Sequence, residues 1–195
     1  RDRYYARAVR GFMDARGIGQ AHLFGPSMGA TPMIRLAHDQ PDRVMKLVLK
    51  SPAGMGPNVL TPSPMDGILA LEAFRLAPTY ENMTELMRRF VPRKDLLTKE
   101  MIDARFASAQ QAMKLAPAKQ LPGGLADIRA LLPKLTVPTL VLWGRQDRMV
   151  AMDGVLAALA LIPNVEAHLW GGDTGHFVEF EHAEAFNRVV TPFLS

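Results

Sequence analysis

The chain has 195 residues, of which 48% are apolar and 22% are charged. This balance is typical of one globular domain, with or without a small insertion, that buries a sizeable core. The formal charge of +4 is spread along the chain, and its densest clusters, Arg88-Arg89 and Arg93-Lys94, are typical of a solvated helix face. We therefore expect no nucleic-acid partner and only a mild attraction for anionic small molecules.

The sequence has no cysteine, which excludes disulfides, thiolate metal sites and a cysteine nucleophile. Its apolar runs end within about ten residues at a charge, a glycine or a proline, which is too short to span a membrane. We expect no membrane partner, no metal and no cofactor. Because a cysteine-free chain suits a reducing compartment, the cytoplasm is the expected location.

The first predicted element is an amphipathic helix in the opening stretch RDRYYARAVRGFMDARG. Four apolar residues recur there at helical spacing: Tyr5, Val9, Phe12 and Met13. The chain opens on Arg1 without a methionine, and no strand pattern precedes the helix. We therefore expect the chain to begin within its fold.

Strands and helices alternate after this helix. Short apolar runs predict four strands, at residues 21–25, 43–52, 137–144 and 165–170. Helical patterns follow the first, third and fourth of them, at residues 28–40, 153–163 and 182–194. Strands that are separated by helices are typical of a parallel sheet.

The residues between the second and third strands have a different character. Prolines and glycines in the stretch 52–67 exclude regular structure, and four short helical patterns come after it, at residues 68–78, 80–91, 98–116 and 124–135. We expect an α/β core formed by residues 1–52 and 134–195, with a helical insertion at residues 53–133.

Ser27 lies where the first strand turns into a helix. The stretch Gly25-Pro26-Ser27-Met28-Gly29 matches G-x-S-x-G, in which a serine occupies a strained turn and the glycines let strand and helix approach each other. The helix N-terminus offers N–H groups to a developing oxyanion, so Ser27 is a candidate nucleophile. The alternative is a serine that only caps the helix.

A serine nucleophile needs a histidine base and a carboxylate that orients this base. Of the five histidines, His22, His38, His168 and His182 lie in or next to predicted strands and helices, where structural or solvated roles explain them. His176 instead lies in the glycine-rich loop WGGDTGHF, past the end of a strand, where catalytic groups of parallel sheets gather. His176 is therefore the candidate base.

Two aspartates compete for the third position. Asp147 follows a different strand end, in LVLWGRQDRMV, whereas Asp173 lies only three residues before His176. Because a side chain in the same tight loop has difficulty reaching the far nitrogen of that ring, we favour Asp147. The chain order is then Ser, Asp, His, as in α/β-hydrolases.

Three segments together resemble the α/β-hydrolase superfamily: the stretch 25–68, which begins GPSMGATPM; TLVLWGRQDRMV; and GHFVEFEHAEAFNRVVTPFL. More narrowly, they are similar to the meta-cleavage product hydrolases. Those enzymes split a C–C bond in vinylogous 1,5-diketones of the 2-hydroxy-6-oxo-2,4-dienoate type during aromatic degradation. The resemblance implies an α/β-hydrolase fold with a helical lid and an anionic dienoate as the substrate.

The resemblance implies a role for each motif residue. Ser27 would be the nucleophile, His176 the general base and acid, and Asp147 its orienting carboxylate. The backbone N–H of Met28 would be an oxyanion donor. In the lid, DARFASAQ resembles the segment whose arginine grips the substrate carboxylate, which nominates Arg105; without the resemblance, an exposed helix arginine is the simpler interpretation.

Two residues next to this triad depart from the family pattern. Pro26 stands where an asparagine is usual, which removes an amide side chain and a backbone N–H. Phe177 stands where a tryptophan is usual, and it keeps an apolar wall without an indole donor. We expect both residues to contact the substrate and to affect which substrate is accepted.

Family members carry further strands, and an oxyanion loop, before the serine-bearing strand. We therefore expect that strand to be an unpaired apolar edge, which favours self-association or completion by an N-terminal segment. Two alternatives to the C–C hydrolase stay open: a carboxylesterase that uses the same triad, and a truncated, non-catalytic interaction module.

The tail of the substrate is not specified by the sequence. Apolar residues of the insertion could line a pocket for an aryl or alkyl group, or they could only pack the helices together, which is the commoner role. They are Leu69, Phe74, Leu86, Phe90 and Phe106.

Overall fold

The computed structural model of the protein describes residues 2–115 and 127–195. Within these ranges, four parallel strands form a sheet in the order β1-β2-β3-β4. They are β1 (Ala21–Pro26), β2 (Val44–Lys50), β3 (Thr139–Gly144) and β4 (Val165–Trp170). The predicted parallel sheet is therefore confirmed, strand by strand.

Helices connect and cover these strands. They are α1 (Asp2–Ala15), α2 (Ala30–Asp39), α3 (Asp66–Leu76), α4 (Tyr80–Phe90), α5 (Lys99–Leu115), α6 (Asp153–Leu161), α7 (Val178–Glu181) and α8 (Ala183–Leu194). Most of these helices follow the predicted patterns. Some predicted residues lie outside the described ranges: Arg1, residue 116 of the third helical pattern in the insertion, and residues 124–126 of the fourth. None of the helices in the described ranges is long and apolar enough to cross a bilayer.

The core lies on both faces of β2 and β3, whose apolar runs are almost fully buried. On one face, Leu47, Leu49 and Val141 pack with residues of α2 and α6. On the other face, Val48, Leu140 and Leu142 pack against α8. The result is a three-layer α/β/α arrangement, which is the usual environment of a parallel sheet.

Helix α1 packs on α2 through a narrower face than its sequence pattern indicates. Ala6 and Met13 are buried, whereas 48% of Tyr5 and 63% of Phe12 are exposed. One neighbouring helix covers only one stripe of α1, so the remaining apolar residues stay in solvent.

Helices α3, α4 and α5 form a separate apolar cluster above the sheet. Phe74 and Leu86 are buried in it, and Phe90 and Phe106 pack against it, but half of the Leu69 side chain is exposed. Four of the five apolar residues singled out in the insertion therefore pack the helices together, as the commoner alternative predicts.

Candidate active site

The carboxyl ends of the four strands meet at one edge of the sheet. Ser27 follows β1 directly, Ser51 follows β2, and the loops after β3 and β4 carry Asp147 and His176. Ligand and catalytic groups of open parallel sheets gather at this edge. The structure thus brings polar side chains from four strand ends to one side of the molecule.

Ser27 lies in a tight turn that joins β1 to α2. The turn is a short 3-10 helix, Ser27–Gly29, and Ser27 has a left-handed backbone with φ of 51°. Such a conformation costs a serine about 1–3 kcal/mol and is characteristic of functional sites. A Cβ atom at Gly25 would lie 2.8 Å from Cα of Ala30, so a glycine is required for the helix to start this close to the strand.

The Ser27 hydroxyl is not used as a helix cap. The N-cap of α2 is Gly29, with no side-chain cap bond, and the side chain of Ser27 makes no hydrogen bond to any residue that the structure describes. The carbonyl of Ser27 accepts the N–H of Ala53, which ties the turn to the loop after β2. The capping alternative is therefore not what the structure has.

His176 and Asp147 form a buried hydrogen-bonded pair. Nδ1 of His176 lies 2.7 Å from Oδ2 of Asp147, and the two residues are 1% and 6% exposed. The other carboxylate oxygen, Oδ1, accepts the N–H groups of Met149 and Val150. Asp173, the competitor, is exposed and makes no hydrogen bond to His176.

The environment of Asp147 favours its ionised form. Burial by itself raises the pKa of this carboxyl, but the hydrogen bond and charge of His176 and the N–H of Val150 outweigh burial and hold the pKa below its usual range. The pair can therefore keep one imidazole orientation and stabilise an imidazolium, as an orienting carboxylate does.

Ser51 belongs to the same site, although its sequence context does not single it out. Ser51 is fully buried, its φ is 44°, and its hydroxyl has no hydrogen bond of regular geometry. The hydroxyl nevertheless lies close enough to Asp147 to help lower the pKa of that carboxyl. Its backbone N–H donates to Leu142, which continues the sheet pairing one residue past β2.

Phe177, the residue after His176, is surrounded by aromatic and cationic groups. Its ring stacks on Phe90, with centroids 4.7 Å apart and planes within 5° of parallel. The guanidinium of Arg105 lies 5.3 Å from the centre of the same ring, within the range of a cation–π contact. Helix α5 thus places the exposed side chain of Arg105 beside the histidine loop.

Lys50, the last residue of β2, is buried behind that loop. Its Nζ donates to the backbone carbonyl of His176 at 2.7 Å and lies 3.5 Å from the carboxylate of Glu179. Burial lowers the pKa of Lys50, and the Glu179 charge opposes this shift. Sequence reasoning missed this residue, because a lysine at a strand end usually points into solvent.

No group of three or more histidine, aspartate or glutamate side chains in the described parts of the chain could hold a metal ion.

A parallel sheet with a serine in a strained strand-to-helix turn, and with an aspartate–histidine pair at the same edge, defines an α/β-hydrolase. Comparison with known proteins agrees. A model of the family described as serine aminopeptidase, S33, matches residues 7–169, a range that includes Ser27 and Asp147 and ends before His176.

This chain spans about two thirds or more of the length of the named relatives that it matches. A 2-hydroxy-6-oxononadienedioate/2-hydroxy-6-oxononatrienedioate hydrolase from a Pseudomonas species is 37% identical over the whole chain, which spans 70% of that enzyme. A 2-hydroxy-6-oxo-6-phenylhexa-2,4-dienoate hydrolase from Burkholderia cepacia is 35% identical over 97% of the chain and is matched over 68% of its length.

Solved structures lead to the same group. A meta-cleavage product hydrolase from Pseudomonas fluorescens IP01, a serine-to-alanine mutant complexed with acetates, aligns with a TM-score of 0.85 at 28% identity, covering 99% of this chain and 71% of that one. A carboxylesterase from Bacillus subtilis aligns over 99% of this chain and 66% of its own, with a TM-score of 0.80 at 19% identity, and shows the shared fold alone. The chain belongs to the α/β-hydrolase family that includes the meta-cleavage product hydrolases.

Proposed function

We propose that this chain carries the catalytic residues of a C–C bond hydrolase that acts on 2-hydroxy-6-oxo-2,4-dienoates, the substrate class in the names of its relatives. The observation that carries the proposal is the buried 2.7 Å hydrogen bond between His176 and Asp147, at the sheet edge where Ser27 occupies its strained turn. An activated serine nucleophile needs such an oriented base within reach of its hydroxyl, which supports the proposal.

In the proposed mechanism, His176 first helps the dienol substrate take up a proton at carbon and become its keto form. Oγ of Ser27 then gives its proton to His176 and adds to the remote carbonyl, which becomes an oxyanion. Collapse of the oxyanion breaks the C–C bond and leaves an acyl group on Ser27. The departing dienolate takes the proton from His176 and becomes a 2-hydroxydienoate, which returns His176 to its neutral form. Water that gives a proton to His176 then hydrolyses this acyl-enzyme.

Backbone groups next to Ser27 are proposed to stabilise the oxyanion. Met28 follows Ser27 in the 3-10 turn and α2 begins at Ala30, so the N–H of Met28 and the positive N-terminal end of α2 are the candidate donors for this charge. Pro26 contributes no N–H, so we assign it a role only in shaping the substrate site.

Arg105 is proposed to bind the carboxylate of the substrate. Two features support this role: its guanidinium lies against the ring of Phe177, and its side chain is exposed and has no carboxylate partner among the described residues. A planar guanidinium can bind a carboxylate through two parallel hydrogen bonds. Phe177 would then form the apolar wall between this anion site and His176.

We also propose that residues 53–133 form the lid of the enzyme and that the enzyme works in the cytoplasm.

Strand β1 is an edge of the described sheet. Its residue Phe24 is 43% exposed, and an apolar groove beside the strand is lined by Leu23, Phe186 and Val190. We propose that an N-terminal segment of the hydrolase, or a second copy of the chain, pairs with this edge.

The test compares turnover of a 2-hydroxy-6-oxo-6-phenyl-2,4-dienoate and of a p-nitrophenyl ester by the chain and by its Ser27→Ala variant. The chain is measured alone and with the N-terminal segment of the Burkholderia relative supplied. Serine-dependent loss of the dienoate supports the proposal. Ester turnover without dienoate turnover would favour a carboxylesterase, and no serine-dependent turnover in either form would favour a non-catalytic module.

A further inference from the structure

Glu181, at the end of α7, places a buried carboxylate directly behind the histidine loop. The residue is 3% exposed. Its two carboxylate oxygens accept the N–H of Gly175, at 3.1 and 2.9 Å, and Oε1 also accepts the N–H of Phe177, at 3.1 Å. One carboxylate therefore binds the residues on both sides of His176.

We propose that Glu181 is a positioning residue for His176: by holding the two flanking N–H groups it fixes the backbone that aims the imidazole toward Asp147. The inference rests on the proposed function for its catalytic meaning. Its structural content, which is the orientation of His176 by Glu181, stands on the contacts alone.

The remaining polar groups of the loop backbone show why such a carboxylate is needed. The loop lies past Trp170, where the pairing of β4 with β3 ends, so the described sheet offers no acceptors to its N–H groups. The N–H of His176 donates to the carbonyl of Phe90 at 2.8 Å, and its carbonyl accepts from Lys50. Buried N–H groups require acceptors, and Glu181 supplies the acceptor for the two that Phe90 does not reach.

The fit around the loop leaves little room for another solution. A Cβ atom at Gly175 would lie 2.6 Å from the carbonyl oxygen of Phe90 and would also meet the ring of Pro92. The loop backbone is thus pressed against the segment after α4 on one side and held by Glu181 on the other. A small displacement of this backbone would also move the buried imidazole of His176.

Burying the carboxylate of Glu181 costs free energy that an uncharged side chain at this position would not cost. A glutamate with no role would therefore be a poor choice here. Burial raises the pKa of Glu181 to about 7, and the charges of Asp147 and Asp173 act in the same direction. The N–H groups of Gly175 and Phe177 oppose this shift, because they stabilise the ionised form. The hydrogen bonds that hold the loop are therefore also what makes the buried charge tolerable.

The test uses Glu181→Gln, which keeps the shape and one acceptor oxygen but puts an amide nitrogen, which cannot accept an N–H, in place of the other oxygen that binds Gly175. Glu184→Gln is the matched control, since its side chain is 95% exposed on α8. Two readouts are compared in the full chain: the NMR resonance of the His176 Nδ1 proton that is hydrogen-bonded to Asp147, and the rate at which Ser27 reacts with a fluorophosphonate probe.

We expect E181Q to have the circular dichroism spectrum of the wild type but a shifted or broadened Nδ1 proton resonance of His176. The rate at which Ser27 reacts with the probe should fall by roughly tenfold to a hundredfold, as small misplacements of catalytic groups cause. E184Q should match the wild type in both readouts. A folded E181Q with the wild-type resonance and the wild-type rate would overturn the proposal.

Two further results of this experiment, an unreactive wild type and an unfolded E181Q, also have a defined meaning. If the wild type does not react with the probe but its Nδ1 resonance moves in E181Q, the proposed function fails while Glu181 still positions His176. If E181Q does not fold, E181D is measured instead, because it keeps the charge but withdraws it by one methylene. A reduced rate in E181D then supports the proposal, and a wild-type rate and resonance overturn it.

Discussion

Nδ1 of His176 and Oδ2 of Asp147 lie 2.7 Å apart in a pocket that excludes solvent from both side chains. The pair joins the loop after β4 to the loop after β3, so two parts of the chain separated by 29 residues meet at a single hydrogen bond. Since Nδ1 faces the carboxylate, the other ring nitrogen, Nε2, is the one left for a serine hydroxyl or for the substrate.

Asp147→Asn is expected to lower kcat strongly. An amide at this position can hold the wrong imidazole tautomer and cannot stabilise the imidazolium, and the corresponding change in a serine-protease triad costs about 10⁴-fold in kcat. Steady-state turnover of the dienoate measures the loss, and circular dichroism checks the fold. Asp173→Asn is the control; if it matched Asp147→Asn, the assignment of the carboxylate would be wrong.

Arg105→Ala is expected to raise KM for the dienoate more than it lowers kcat. Loss of a charged hydrogen-bond donor to a carboxylate costs about 1.5–3 kcal/mol, which is roughly a ten- to hundredfold change in kcat/KM. An uncharged p-nitrophenyl ester should show no such change, because it lacks the carboxylate. Arg75→Ala, an exposed arginine of α3, is the comparison variant; equal effects of both variants on the dienoate would remove Arg105 from the substrate site.

Strand ends and turns of this fold could be predicted from sequence, because their signals are local. A short apolar run followed by Gly25-Pro26-Ser27 specifies a strand and a tight turn within one stretch of chain. The preference for Asp147 over Asp173 also rested on local geometry, and the structure gives His176 a hydrogen bond to Asp147. The catalytic roles of these residues stay predictions.

Residues that support the site could not be predicted, because their burial arises from contacts between distant elements. Lys50 and Glu181 are charged residues of a type that usually stays exposed, and only the packing of the histidine loop against β2 and α7 encloses them. Ser51 is equally unmarked in the sequence, since its position beside Asp147 depends on the pairing of β2 with β3.

Gly25→Ala is expected to destabilise the fold and to displace Ser27. Its new Cβ would meet the backbone of Ala30 at 2.8 Å, so the strand and α2 must separate, and overpacking of this kind costs about 1–3 kcal/mol. Urea unfolding measures the change. Gly19→Ala is the matched control, because nothing lies within 4 Å of a Cβ at that position; an equal loss in both variants would contradict the role assigned to Gly25.

The free energy of unfolding should carry a pH dependence that belongs to Glu181. Its pKa is raised from 4.5 to about 7 in the folded protein, first by burial and then by the charges of Asp147 and Asp173, against the N–H groups of Gly175 and Phe177. Between these two pH values the folded state binds the proton and the unfolded state does not. The stability that this proton contributes is complete below pH 4.5 and is lost as the pH rises through about 7.

Glu181→Gln cannot titrate, so it should lack this dependence while keeping that of every other group. The free energy of unfolding of the wild type, relative to E181Q, is expected to fall by about 2 kcal/mol as the pH rises from about 5 to about 8. Urea unfolding at intervals of pH measures the difference, with Glu184→Gln as the variant that should follow the wild type. Parallel curves for the wild type and E181Q would show that the carboxyl of Glu181 titrates normally and that its burial does not disfavour its charge.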